Sequence, residues 1–319
     1  MKTQRRERLQ KEKRNRVLVR LVIVLLAAAL VVAVGWNVYR QIAGKVTGMM
    51  IGVEHVQEGC LEDRVRAEAV VIHQETLIPS PGRGRLENLV LEGERVRKGS
   101  RVGNFYLQNG QSTTISAPIS GVVSYRPDGL EEMLAQLDIE HPRSVVFSYQ
   151  SAVSEEQELS YQSGQPLLKM VNNLTPTVLV VRFPHHVLGE PLQVGQVIEE
   201  VIWDKSRLGR GKVAGLQSKD EQVVASLVLD SFCAELINQR RLEVDLIKKR
   251  YYGGLVPSQA IIEKDGHTGV FCLRQEKVFF KSAEVVVTRD EWAVVKGLDK
   301  GEYVVTTPEL VHEGMVLDR

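Results

Sequence analysis

Apolar residues between Leu77 and Gly121 recur at spacings of two and three, and a glycine stands wherever the rhythm slips. The run Gly84, Leu86, Leu89, Leu91, Gly93, Val96, Gly99, Val102 predicts very short strands joined by tight turns. The turns fall at residues 92–94 and 98–100, because glycine takes positive φ without a Cβ penalty. A second unit follows, in which Ile115 opens a strand, Pro118 ends its ladder and Gly121 precedes Val122 and Val123. A related glycine-led piece runs over residues 163–171. Two such half-motifs predict a small β-sandwich whose halves interlock, neither able to bury a core alone.

From Thr177 the pattern turns to alternation over residues 178–183, 196–202, 212–216, 222–229 and 242–247. Five strands with glycine turns suit a small closed β-barrel, with one short helix over 231–240. Beyond Gly253 and Gly254, the stretch 255–262 leads into strands at 270–273, 278–287 and 303–306, with turns at Gly297 and Gly301. Residues 68–73 form the first clear strand, and 39–66 read as a polar linker.

Two segments interrupt the sandwich pattern. Residues 104–112 number only nine, and Asn109-Gly110 offers a hairpin turn there. Residues 130–162 are longer. Leu130, Met133, Leu134 and Leu137 fall at i, i+3, i+4 and i+7, one face of a short helix that stops before Pro142. Ser154 to Gln157 has the form of a capping box opening a second short helix. The leucine face reads either as packing within its own domain or as a partner-docking patch; amphipathic helices usually do the first.

Residues 17–38 are apolar apart from Arg20 and Asn37, with 16 uninterrupted residues from Leu21 to Trp36. With its flanks this run can just cross a ~30 Å hydrocarbon core. Trp36 and Tyr39 sit where interfacial aromatics belong. The formal net charge of +1 hides an asymmetry: nine basic and two acidic residues lie within 1–20, leaving the remainder at −6. By the positive-inside rule, residues 1–16 are a cytoplasmic tail, 17–38 a single-pass anchor in the cell membrane, and the bulk of the chain is extracytoplasmic. Cleavage of a signal peptide near Ala33 to Gly35 is the competing reading, against which the apolar run is long. A topogenic role accounts for the basic tail, so membrane lipid is an expected contact and nucleic acid is not.

Candidate chemistry is sparse. Cys60, Cys233 and Cys272 are odd in number and far apart, and read as buried small hydrophobes. His185 and His186 are adjacent, and strand neighbours point to opposite faces, which makes them poor co-ligands. No dinucleotide fingerprint, phosphate-binding loop, nucleophile elbow or zinc-protease motif occurs. The sequence supports no catalytic residue, no metal site and no enzyme.

The order Gly84, Leu86, Leu89, Gly93, Val96, Gly99, then Ala117, Pro118, Gly121 and Val123, resembles the split lipoyl-like domain of membrane fusion proteins, the HlyD-like adaptor subunits of bacterial export systems. The resemblance implies a mainly β chain: a lipoyl-like barrel-sandwich over 67–172 with insertion 130–162, a β-barrel over 173–253, and a membrane-proximal β domain over 254–319. The same fold carries biotin or lipoate on a lysine between its halves. No lysine occurs between Val102 and Leu168, so a swinging-arm cofactor has no amine to use. In longer relatives the position of residues 104–112 carries a helical hairpin that reaches an outer channel. Nine residues cannot form one, so this is a short form lacking the hairpin. Implied is an adaptor of an export or efflux transporter, partnered with an inner-membrane transporter and ringed as a homo-oligomer. A cell-envelope scaffold or assembly protein using the fold without transport is the alternative.

Overall fold

The computed structural model describes Val34 and residues 51–150, 160–185, 191–219 and 221–317. The basic tail, the anchor save Val34, and the capping box at 154–157 lie outside the described residues. Among the described residues no helix is long and apolar enough to cross a membrane. The chain divides into two compact units, Glu62–Arg250 and Met1–Leu61 with Tyr251–Arg319. Strands are numbered β1 to β20 in chain order.

In the larger unit six strands close a barrel. They are β2 (Gln57–Ile72), β10 (Val178–Pro184), β11 (Val197–Trp203), β12 (Ser206–Lys219), β13 (Gln222–Leu229) and β14 (Arg241–Pro257), the first and last through their parts within the unit. Neighbours run β11-β12-β13-β10-β2-β14, and β14 returns to β11 through Glu200↔Ile247, Val201↔Leu246 and Ile202↔Asp245. Val65, Ala67, Ala69 and Val71 of β2 point inward with Leu179, Val181, Leu227 and Leu246.

Five of these strands match the alternation. The sixth, β2, begins within the expected linker. Its middle, residues 64–68, alternates only Val65 and Ala67 with Arg64, Arg66 and Glu68, a weak period-two signal. Its end, Ala69 to Ile72, is buried on both faces, which removes the alternation altogether. The helix expected at 231–240 is a single 3₁₀ turn, Ala234–Leu236. Thr177 holds the chain there: it donates N–H to the Ser231 carbonyl, and its Oγ1 accepts from Cys233 N at 2.9 Å.

The sandwich is threaded between β2 and β10. One sheet orders β3 (Glu75–Pro79), β9 (Pro166–Val171), β8 (Gly121–Ser124) and β5 (Arg95–Val96); the other orders β4 (Gly84–Asn88), β6 (Arg101–Leu107) and β7 (Ser112–Ser116). Val102, Phe105, Ile115 and Ala117 meet Val123, Tyr161, Leu168 and Met170 in one core, so each half buries the other. Gly93 and Gly99 turn at φ +79° and +83°, as their spacing requires. Gly84 and Gly121 serve differently. A Cβ on Gly84 would stand 2.1 Å from the Tyr106 carbonyl oxygen, and one on Gly121 2.3 Å from that of Val171. Ala117 is buried and Pro118 follows the end of β7.

Residues 104–112 extend β6 and β7 around a tight turn. Leu107 N donates to the Gln111 carbonyl at 2.8 Å, and Asn109 Oδ1 accepts from Gln111 N at 3.0 Å. Phe105 within it is fully buried. The hairpin position is thus closed by a β-turn whose strand is part of the core.

The smaller unit is also β. β1 (Val53–His55) pairs β20 (Tyr303–Val305), which pairs β16 (His267–Arg274); β15 (Ile261–Lys264) and β17 (Lys277–Ser282) flank β16. β18 (Glu284–Arg289) and β19 (Trp292–Lys296) form a ladder joined to Gly254–Pro257 of β14. The strand expected over 278–287 is therefore two, broken at Ala283, which is buried.

Candidate functional site

The insertion lies on the outer face of the barrel. Helix α1 covers only Glu131–Ala135, shorter than the leucine spacing suggests. Leu130 and Leu134 are buried with Val146 and Phe147 against Val70, Ile72, Val180 and Val224, the outward residues of β2, β10 and β13. Leu137 packs at the margin, and Met133 is 39% exposed. Burial of a leucine contributes roughly 1.5–3 kcal/mol.

Polar clamps hold the rest of the insertion. Arg241 Nη2 donates to the carbonyls of Phe147 and Tyr149, and the Arg182 guanidinium lies 4.4 Å from the Phe147 ring centroid. Ser226 Oγ donates to the Ile139 carbonyl, and Gly215 lets that loop approach: a Cβ there would stand 2.3 Å from the Glu140 oxygen. A cleft of about 280 Å³ remains between insertion and barrel, lined by Val70, Leu130, Leu134, Tyr149 and Arg241 among others.

Where sandwich, insertion and barrel meet, five charged side chains are buried together. Glu75 comes from β3, Lys169 from β9, Asp128 from the turn before the insertion, Glu131 from the insertion's start, and Arg240 from the turn before β14. None is more than 7% exposed. Arg240 donates to Asp128 through Nε and to Glu75 through Nη2, and reaches Asp128 Oδ1 at 3.2 Å and the Val71 carbonyl at 3.4 Å. Lys169 Nζ stands 3.0 Å from Glu75 Oε1, off the hydrogen-bonding direction, and 3.8 Å from Glu131 Oε1. Asp128 also caps the insertion, accepting Leu130 N at 3.0 Å. A second strap runs beside it: Asn238 Nδ2 donates to Glu92 Oε1 at 2.8 Å, and Ser124 Oγ to Asn238 Oδ1 at 2.7 Å.

Electrostatics sort the members. Burial works against the Asp128 charge, but Arg240 prevails and holds that carboxyl below its usual range. Burial pushes Glu131 up, and the Asp128 charge adds to it. His73, between β2 and β3, is pushed down to about 4 by burial and by Arg240 and Lys169, so it is neutral at pH 7. Its ring lies 5.3 Å from that of Phe232.

The junction was not foreseen. Its one sequence signal is Lys169 within Pro166–Val171, a lysine in an otherwise apolar strand. Asp128, Glu131 and Arg240 carry no such mark: Asp128 and Arg240 lie 112 residues apart, and Arg240 and Glu75 165, so these partners come together only by folding.

The remaining chemistry stays dispersed. Cys233 and Cys272 are buried and Cys60 exposed, none in a disulfide. Burial pushes the Cys233 thiol up and that of Cys272 up to about 12, so neither is a nucleophile at neutral pH. His186 lies outside the described residues, among which no group of His, Cys, Asp or Glu is placed to hold a metal.

Residues 75–172 match the family model described as the RND related, barrel-sandwich hybrid domain. The central sandwich is similar to that domain. The match begins at β3 and ends just after β9. The motif from Gly84 to Val123 falls within the matched residues.

No curated protein matches the chain. Solved structures that align with it include ZneB from Cupriavidus metallidurans, at 12% identity over 82% of this chain and 94% of that one, TM-score 0.33. MacA from Actinobacillus actinomycetemcomitans aligns at 14% identity over 79% and 98%, TM-score 0.36. The membrane fusion protein Spr0693 from Streptococcus pneumoniae R6 aligns at 12% over 58% and 100%, TM-score 0.30. At such scores these likenesses carry no argument, and the similarity rests on the match over residues 75–172.

Proposed function

We propose that the chain is a non-catalytic, membrane-anchored extracytoplasmic adaptor of an export assembly. The observation that carries the reading is the barrel-sandwich hybrid over residues 75–172, with both half-motifs in one core. Residues 17–38 serve as the anchor, the basic tail stays in the cytoplasm, and residues 254–319 lie nearest the membrane. The insertion is a packing element on the barrel, and Met133 is the residue of its leucine face open to a partner. Copies assemble around the transport axis, and an inner-membrane transporter is the principal partner.

The β-turn at residues 108–111 favours a second reading, an envelope scaffold without transport, because it offers no long arm toward an outer channel. Cross-linking in intact membranes, followed by mild-detergent purification of the full chain, separates the two. An adaptor brings down a polytopic transporter; recovery of non-transport envelope proteins alone contradicts it. A protease added to spheroplasts removes the region after Arg40 and spares the tail, whereas a cytoplasmic C-terminus contradicts both readings.

A further inference from the structure

Three carboxyl groups face two cations in the junction between hybrid domain and barrel, and the partners are shared unequally. Glu75 accepts Arg240 Nη2 and has the Lys169 ammonium in ionic contact 3.0 Å from Oε1; Asp128 receives two nitrogens of Arg240. Glu131 receives neither closely. Its nearest cations are Lys169 at 3.8 Å and Arg240 at 3.9 Å, both on Oε1, and that oxygen's hydrogen bond is Asp128 N–H at 2.7 Å. Among the described residues, Glu131 Oε2 is buried with no hydrogen-bond partner.

An ionised carboxylate with one bare oxygen in such a place is strongly disfavoured, and the group neutralises instead. Protonation at Oε2 leaves Oε1 as the acceptor of Asp128 N–H, and balances Lys169 and Arg240 against Glu75 and Asp128. We propose that Glu131 is a proton-binding site, occupied at neutral pH, in the joint between hybrid domain and barrel.

The groups facing it are Lys169 on β9, Glu75 on β3, Asp128 in the preceding turn and Arg240 before β14, with neutral His73 behind the two cations. Burial, the first cause acting on this carboxyl, raises it in the same sense. A group raised in the folded state adds stability that is full below its unfolded value and is lost as pH rises through the folded one. Alkaline conditions therefore leave a net negative charge in the joint and loosen it, whatever the chain's role in transport.

The test is thermal unfolding of the full chain against pH, for wild type and Glu131→Gln, which imitates the neutral acid. The two are expected to melt alike near pH 4.5 and to separate as pH rises, with Glu131→Gln the more stable by several degrees at pH 7–8. A gap independent of pH, or one opening in the opposite sense, overturns the proposal. If the variant fails to fold, infrared spectroscopy of the wild type alone decides. A carboxylic-acid carbonyl band at pH 7 that titrates away at higher pH is expected, and its absence overturns the assignment.

Discussion

Two surfaces join the parts of the larger unit, and they work by opposite means. The insertion holds the barrel through hydrocarbon, with Leu130, Leu134, Val146 and Phe147 on Val70, Ile72, Val180 and Val224. The hybrid domain holds it chiefly through charge, with Lys169 and Arg240 against Glu75, Asp128 and Glu131, beside a small apolar contact of Val122 and Val171 with Ile237 and Phe232. An apolar contact is tolerant: it slides, repacks and weakens gradually as side chains are trimmed. A buried charge cluster tolerates little, because each lost partner strands another charge. A joint built from charge therefore fixes one orientation of hybrid domain to barrel, while the insertion adds adhesion around it.

The largest expected effect strikes the charged side of this contrast. Arg240→Met strands Asp128 and Glu75 and should lower stability by about 3–5 kcal/mol, read by denaturant unfolding. A loss under 1 kcal/mol would mean that water already screens the joint. Next comes the apolar side. Leu134→Ala should cost about 2–5 kcal/mol without changing the pH profile, whereas Arg240→Met should also change that profile. Asp128 is held below its usual range, so its contribution is present above its unfolded value and is lost as pH falls through the folded one. The variant lacking Arg240 loses that acid-side dependence.

Smaller effects test the frame that carries both contacts. Gly93→Val and Gly99→Val must take a bulky residue to φ near +80° in otherwise open space, and about 1–3 kcal/mol should be lost in each. Melting at the wild-type temperature would place the turns elsewhere. Met133→Asp, on the exposed edge of the insertion, should change stability by less than about 0.5 kcal/mol. A partner cross-link lost with unchanged melting would then make that edge a docking point.

The contrast also explains what could be read in the chain. The glycine turns were legible because positive φ leaves a direct mark on residue choice. The leucine face was legible at four-residue spacing, although only Glu131–Ala135 became helix, since the loop after it follows the barrel and not a helix axis. β2 was half hidden: charged outward residues and small inward ones blur its middle, residues 64–68. The ionic junction was almost wholly hidden, since five charges from four distant segments look like surface until the fold assembles them. Only Lys169, set among Leu167, Leu168, Met170 and Val171, betrayed it.

Whether charge fixes the hybrid domain to the barrel is decided most directly by a double-mutant cycle on Arg240 and Asp128. Arg240→Met, Asp128→Asn and the double variant are unfolded in denaturant at pH 7, the asparagine keeping the oxygen that accepts Leu130 N. A coupling of about 2 kcal/mol or more between the two changes is predicted, as for contacting members of one buried network. Additive losses would contradict it, leaving apolar contacts to hold the joint.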